Sequence, residues 1–495
     1  MTDFLLRQAR LVPVGPEAVA PEEPVDVLVR DGQVVEIGQH LPAGGLPEVH
    51  ADGRWLTPGL WDQHVHLGQW ALASYRLDLT RTRSVPDAVA LVSERLAELP
   101  GMPVVGWGHR SASWGARPTT ADLDALGSSA PVVLIAGDGH HAWMNTVAMR
   151  GLRLPERDGV VSEGEWFAIY PRLGELVGTD GTSPEAYLHA MQQAAAKGVV
   201  GLVDLEFDQS VSAWPDRVAG GAELLRVRVG AYVDTLDEFS AAGLRTGMQM
   251  PGCGPLVRMG PLKIISDGSL NTQTAWCCSP YSGGGVGAPN ITSEGLRAVL
   301  EHANRSQLEV AVHAIGDAAV GQALEAYAAT GARGSIEHAQ LIRREDSRTM
   351  ARLGIWASVQ PAHLLDDRDL TEILWPHSTD RCFALRWLQD DGVTLALGSD
   401  APVSPLDPWD AIAAAVHRSA DDREPWHPEQ ALTVHEALAA STDGLGTVSV
   451  GQAADLALLD ADPLLPGTSL EQAKHLRAMQ VAATWVDGSL VHSAL

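Results

Sequence analysis

The sequence has few cysteines, little positive charge and no long apolar run, and each shortage excludes a class of protein. None of the four cysteines forms a Cys-x-x-Cys pair, so we expect no disulfide framework. No apolar stretch is long enough to span a bilayer. The first residues also lack the charged-then-apolar pattern of a secretory signal, and we therefore predict a cytoplasmic location.

Positive charge is scarce because 35 lysines and arginines stand against 62 aspartates and glutamates, for a net charge of -27. This imbalance argues against nucleic acids and anionic membranes as partners and favours solubility. We expect a small-molecule substrate as the partner, and the sequence leaves open whether the chain is a monomer or a homodimer. The 495 residues suffice for one large barrel and a smaller domain.

Both ends of the chain have β-hairpin patterns. Near the N-terminus, runs at 25–30 and 33–37 flank Asp31-Gly32, and near the C-terminus a similar pattern surrounds Asp487-Gly488. An Asp-Gly pair between two strand-like runs is a strong hairpin indicator. We predict that residues 1–56 and 447–495 form one composite β-sandwich.

Between the two ends, strand-like runs alternate with helix-like segments. The strand that leads to His64 is followed by seven further runs, at 199–204, 227–232, 262–267, 310–313, 335–338, 355–359 and 395–400. Eight apolar strands separated by amphipathic helices are typical of a parallel barrel, so we predict a distorted (β/α)₈ TIM barrel over 57–446. The chain between its first two strands is too long for one helix, which predicts a lid-like insertion at about 68–197.

The strand ends carry residues of the types that bind metals. His64 and His66 are two residues apart, so they point to the same side of a strand and can reach one ion. Other strands present Lys263, His313, His338 and Asp400. Taken singly, a buried histidine, a buried ion pair or a helix cap would explain each of them. Together they suit zinc and similar divalent ions at the face where barrel enzymes place their catalytic residues.

Lys263 is the weakest member of this set. It comes early in its apparent strand run, 262–267, whereas the other ligand-type residues come at strand ends. Either its strand begins sooner than the sequence suggests, or Lys263 fits the metal site less well.

Eight motifs span most of the chain, at 58–66, 139–145, 267–270, 312–317, 337–339, 360–363, 398–405 and 451–456. With these motifs the chain resembles the amidohydrolase superfamily, in particular the branch of N-substituted formamide deformylases and exoenzyme-regulator-like metal-dependent hydrolases. The resemblance implies two divalent metal ions, with zinc favoured. It places His64, His66 and Asp400 on one ion and His313 and His338 on the other.

The resemblance also implies that Lys263 bridges the two ions as a carboxylated lysine. A buried lysine titrates readily, and its neutral amine can take up CO₂ to become a carbamate anion. The alternative is an unmodified Lys263 in an ion pair beside a single metal. Asp400 would orient a metal-activated hydroxide, accept its proton and pass that proton to the leaving nitrogen.

Further candidates concern the substrate. In the insertion, His140 is a candidate to donate to the scissile carbonyl, with a structural hydrogen bond as the alternative. His363, after the seventh strand, is a candidate pocket residue. Four tryptophans of the insertion are candidates for apolar pocket walls, with the insertion's own core as the alternative: Trp107, Trp114, Trp143 and Trp166.

The residues and the resemblance together predict a metal-dependent hydrolase that cleaves a carbon–nitrogen bond in an amide, an N-formyl group or a cyclic amide. One alternative is another reaction on the same metals, namely ester hydrolysis, deamination, decarboxylation or isomerisation. A second alternative is a catalytically inert regulator that kept the fold.

Overall fold

The computed structural model of the protein describes residues 3–111, 114–137, 141–177, 183–207, 209–421 and 423–495. The chain divides into two compact units. The first comprises Met1–Leu67 and Leu188–Leu495, and the second comprises Gly68–Tyr187.

The strands within the described residues are β1 Phe4–Leu11, β2 Val25–Arg30, β3 Gln33–Gly38, β4 Glu48–His50, β5 Trp55–Pro58, β6 Leu60–Val65, β7 Leu77–Asp78, β8 Val104–His109, β9 Val132–Ala136, β10 His141–Met144, β11 Val160–Ser162, β12 Val199–Asp204, β13 Arg226–Tyr232, β14 Val257–Ile265, β15 Val310–Ala314, β16 Gly334–His338, β17 Trp356–Val359, β18 Leu395–Leu397, β19 Leu456–Leu459, β20 Val481–Val486 and β21 Ser489–Ser493. The helices are α1 Leu67–Tyr75, α2 Val85–Glu98, α3 Thr120–Asp124, α4 Thr146–Gly151, α5 Glu163–Ile169, α6 Gly174–Val177, α7 Pro184–Ala195, α8 Ala213–Ala219, α9 Leu236–Ala241, α10 Ser293–Arg305, α11 Asp317–Thr330, α12 Arg344–Leu353, α13 His363–Leu374, α14 Leu385–Asp390, α15 Pro408–His417, α16 Val434–Ala439 and α17 Ser469–Arg477. Among these helices, none combines the length and the apolar character needed to cross a membrane.

Strands from both ends of the chain build one β-structure. They follow the order β21-β20-β19-β5-β1-β2-β3, with β4 paired to β1. The predicted hairpin turns are present, because Asp31, Gly32, Asp487 and Gly488 all have positive φ, as the type I′ turn requires. One hydrophobic cluster takes side chains from both ends, for example Leu6 and Trp485.

The middle of the chain forms the predicted barrel. Eight parallel strands lie in the order β6-β12-β13-β14-β15-β16-β17-β18, which is their order along the chain. Beyond the last strand the chain returns to the first, because the Asp400 N–H donates to the His64 carbonyl (2.7 Å) and the His66 N–H donates to the Ala401 carbonyl (2.9 Å). The expected (β/α)₈ fold is therefore confirmed.

The strand that carries Lys263 begins sooner than the apparent run at 262–267. It starts at Val257 and continues through Gly260 and Pro261, which break up the pattern in the sequence. The pairing with β13 shifts register between Val229 and Ala231, opposite this pair. An irregularity of this kind lets a strand accommodate a proline, which has no N–H to donate. Lys263 consequently lies near the C-terminal end of its strand.

The second unit is built on a five-stranded sheet in the order β11-β10-β9-β8-β7. Successive side chains of β9 enter opposite hydrophobic clusters, Val132 and Leu134 in one and Val133 and Ile135 in the other. This alternation is the two-residue period of a strand, so the sheet is covered by apolar side chains on both faces.

Candidate metal centre

The predicted ligand residues converge at the C-terminal ends of the barrel strands. Asp400 is central to them. Its Oδ1 lies 3.4 Å from His64 Nε2 and 3.3 Å from His66 Nε2. Its Oδ2 lies 3.8 Å from His363 Nε2. Among the described residues, two groups bring their ligand atoms within 4.8 Å of one another, and Asp400 belongs to both: His64, His66, Asp400, and His338, His363, Asp400.

Lys263 is in contact with the first of these groups. Its Nζ lies 3.1 Å from His64 Nε2, and both side chains are buried. Burial lowers the pKa of Lys263, although Glu337 and Asp400 act in the opposite direction. Burial also lowers the pKa of His64, and the neighbouring Lys263 lowers it further. The low pKa values favour the neutral amine and the neutral imidazole, which are the forms that react with CO₂ and bind metals.

Glu337 orients His64, a role that the sequence did not reveal. Glu337 Oε2 lies 2.7 Å from His64 Nδ1, and each side chain is at most 2% exposed. Because a carboxylate only accepts, His64 carries its proton on Nδ1 and leaves Nε2 free to bind a metal. Burial raises the pKa of Glu337, but the hydrogen bonds from His64 and Ser335 and the charges of His64 and Lys263 together outweigh burial, so the pKa is lowered. Ser335 Oγ also donates to Glu337.

His313 is held by the loop after β14. Its Nε2 lies 3.3 Å from the Gly268 carbonyl and 3.6 Å from Asp267 Oδ1. The carbonyl can only accept, so this contact puts the proton on Nε2 and leaves Nδ1 as the metal-binding nitrogen. Burial lowers the pKa of His313 to about 3. His313 belongs to neither three-residue group in the described residues, although its ring lies 4.6 Å from that of His338.

Buried carboxylates position these segments. Asp267 accepts the backbone N–H groups of Ile315, Gly316 and Trp276, and burial raises its pKa to about 7. Asp62 Oδ1 accepts from the backbone N–H groups of His64 (3.1 Å) and Ser399 (2.9 Å), which ties the first strand to the segment after the last. Asp62 and Asp267 belong to motifs that the sequence analysis quoted, but their roles depend on contacts that no motif specifies.

The site fits a divalent metal ion. Several of its imidazole nitrogens are buried without a hydrogen-bond partner, among them His363 Nε2 and His338 Nδ1. Burying an unpaired polar atom costs about 1–3 kcal/mol, so these atoms need a partner that the described side chains do not supply. Imidazole nitrogens grouped around a carboxylate are a donor set that zinc and related ions prefer.

The other predicted site residues, His140 and the four tryptophans, belong to the insertion. His140 lies outside the described residues. Trp143 and Trp166 are fully buried and Trp114 is nearly so, all within the second unit's own clusters, as the alternative of an internal core predicts. Trp107 is half-buried. A substrate-binding role for these tryptophans stays a prediction, and the burial of three of them does not favour it.

Comparisons with known proteins agree with the motifs. A family model described as the amidohydrolase family matches residues 48–492. The chain is 27% identical to the putative amidohydrolase YtcJ of Bacillus subtilis (strain 168), with 94% of this chain and 95% of that protein covered. It is 25% identical to the N-substituted formamide deformylase of Arthrobacter pascens, with 94% of each chain covered.

The fold has counterparts among solved structures. A metal-dependent hydrolase of Pyrococcus horikoshii OT3 superposes with a TM-score of 0.78 at 24% identity, and the match covers 96% of this chain and 99% of that one. At this identity the likeness establishes the fold.

Proposed function

The chain belongs to the amidohydrolase family and is a metal-dependent hydrolase, and from that premise we propose that it hydrolyses a carbon–nitrogen bond other than a peptide bond. The substrate would be an amide, an N-formyl amine or a cyclic amide. The observation that carries the proposal is the position of Asp400 between the two histidine groups. The similarity to a formamide deformylase supports the choice of bond.

In this proposal the site holds two divalent ions, with zinc favoured. His64, His66 and Asp400 would hold one ion, and His313 and His338 the other. When bound, such ions lower the pKa of water towards 7 and polarise a carbonyl group.

Lys263 would bridge the ions after reaction with CO₂. The neutral amine forms a nitrogen–carbon bond to CO₂ and releases one proton, which leaves a carbamate anion. Burial supports this step because it lowers the pKa of Lys263. His64 Nε2, which lies 3.1 Å from Nζ, can accept a hydrogen bond from the neutral amine.

Asp400 would hold and move the proton. Burial raises its pKa, but the neighbouring His64, His66 and His338 together outweigh burial, so its pKa lies well below the usual range and the carboxylate is ionised. An ionised carboxylate beside the reacting atoms can accept a proton and return it to the leaving nitrogen. His363, on the Oδ2 side, would donate to the substrate or orient Asp400.

The test is a hydrolysis screen with metal-reconstituted protein. Zinc- and manganese-loaded chain would be incubated with N-formyl amines, acyl amides, cyclic amides and matched esters, and the products identified by NMR and mass spectrometry. We expect each cleaved carbon–nitrogen bond to give an amine and a carboxylic acid, which stay in one molecule when the substrate is a cyclic amide. This hydrolysis should depend on metal and be lost in Asp400→Asn. Turnover of esters alone, or of no compound, would contradict the proposal. A cytoplasmic location stays a prediction.

A further inference from the structure

Phe207 is an exposed aromatic residue beside the metal centre. It follows β12 at the C-terminal end of the barrel, and 45% of it is exposed although it is a large apolar side chain. Its ring stacks on the ring of His66, with centroids 4.9 Å apart and planes inclined by 19°. One face of Phe207 is therefore occupied by a candidate metal ligand, while much of the residue remains open to solvent.

The surroundings of Phe207 hold it in place. The ring of Tyr232 lies 5.3 Å away, and the Tyr232 hydroxyl donates to the Leu205 carbonyl at 2.7 Å. The Phe207 N–H donates to Glu206 Oε1 at 2.9 Å. A side chain positioned in this way loses little conformational freedom when a ligand packs against it.

Asp204 fixes the loop that carries Phe207. Its Oδ1 accepts the backbone N–H groups of Leu67 and Glu206, and its Oδ2 accepts from Gln209 Nε2 and Trp214 Nε1. Leu67 directly follows His66, so one buried carboxylate ties the loop to the segment that carries the metal ligand. A single exposed apolar residue on an ordinary surface needs no explanation, but this one is built into the wall of the metal centre.

We propose that Phe207 is a specificity-determining residue, whose ring binds an aryl or bulky alkyl group attached to the scissile amide. The inference rests on the proposed function, which it deepens by naming the substrate class. An apolar substituent on the substrate would pack against the Phe207 ring and lose its contact with water. Amides with a large apolar substituent should therefore bind better than those with only a methyl group.

The test measures binding and does not require turnover. Acetohydroxamate and benzohydroxamate chelate metals through the same group and differ in the phenyl ring, so their affinities for the zinc-loaded full chain can be compared by calorimetry. We expect benzohydroxamate to bind more tightly. In Phe207→Ala this preference should fall by roughly three- to tenfold, the range of one aromatic contact. The affinity for acetohydroxamate and the metal content should stay unchanged.

Matched variants separate this role from a structural one. Phe207→Trp should keep the preference, and Phe207→Leu provides a second, milder truncation if the alanine variant does not fold. Trp356→Ala removes another exposed aromatic residue, 38% exposed, at the start of β17 and thus at the opposite end of the barrel. It should leave the preference unchanged.

Four outcomes would overturn the inference. The wild type could bind both hydroxamates equally, or bind neither. Both truncated variants could keep the preference for benzohydroxamate, or Phe207→Leu could lose metal. Failure of the proposed function would appear separately, in the hydrolysis screen.

Discussion

The contact between Glu337 and His64 leads to a quantitative prediction about metal affinity. Glu337→Gln keeps the size of the side chain but removes the charge that accepts the His64 Nδ1 proton at 2.7 Å. Hydrogen bonds to charged groups contribute about 1.5–3 kcal/mol. At about 1.4 kcal/mol for each factor of ten, this corresponds to roughly 10- to 100-fold in affinity. The same range is typical when a residue that orients a metal-bound histidine is replaced.

The assay is zinc binding in competition with a chelating indicator, with the unfolding temperature measured on the same samples. We expect Glu337→Gln to raise the zinc dissociation constant by about tenfold or more, because the glutamine amide can accept from Nδ1 only weakly. Glu436→Gln is the matched control, since Glu436 binds Arg386 and caps α16 and contacts none of the ligand residues through these bonds. It should lower stability without changing zinc affinity. A folded Glu337→Gln protein that binds zinc within twofold of the wild type would refute the orienting role.

Four further substitutions test the site and the fold. Lys263→Ala should lose metal and activity, and short-chain carboxylates should restore part of both; an unmodified lysine in density from an active, metal-loaded crystal would contradict carboxylation. Asp400→Asn should keep the fold, as judged by circular dichroism, while kcat falls by roughly 10²–10⁴-fold; near-normal turnover would remove Asp400 from proton transfer. Gly398→Ala should lower both the unfolding temperature and the zinc affinity, because a Cβ there would lie 2.8 Å from His64 N; calorimetry and metal analysis that match the wild type would count against this packing. Trp143→Phe should lower the unfolding temperature, because it removes a hydrogen bond of a fully buried indole to the Thr119 carbonyl, and it should leave kcat/KM unchanged; a selective change in kcat/KM would instead support a substrate-binding role.

Local patterns in the sequence determined the architecture. The hairpins at Asp31-Gly32 and Asp487-Gly488 follow from two residues that tolerate positive φ between apolar runs. The eight barrel strands follow from apolar runs between helix-like segments. These features depend on neighbours in the chain, which is why the sequence alone was sufficient.

The strand carrying Lys263 shows where local patterns were insufficient. Gly260 and Pro261 interrupt the apolar run, so the sequence placed the start of this strand five residues too late. The strand passes through them because its partner β13 shifts register at that point. A register shift is a property of two paired strands, and one strand's sequence does not contain it.

The sequence by itself determined which residue types reach the C-terminal ends of the barrel strands. Strand periodicity sets the side to which each residue points, and parallel strand order brings the strand ends to one face of the barrel. Only the tertiary structure decided which atoms meet there. Glu337 and His64 are 273 positions apart in the chain, and His363 reaches the Asp400 group through the turn after β17. Phe207 was not predicted because an isolated phenylalanine after a strand carries no pattern, and its exposure and its contact with His66 arise from packing. The burial of Trp114, Trp143 and Trp166 also arises from packing, because these side chains belong to the two hydrophobic clusters of the second unit.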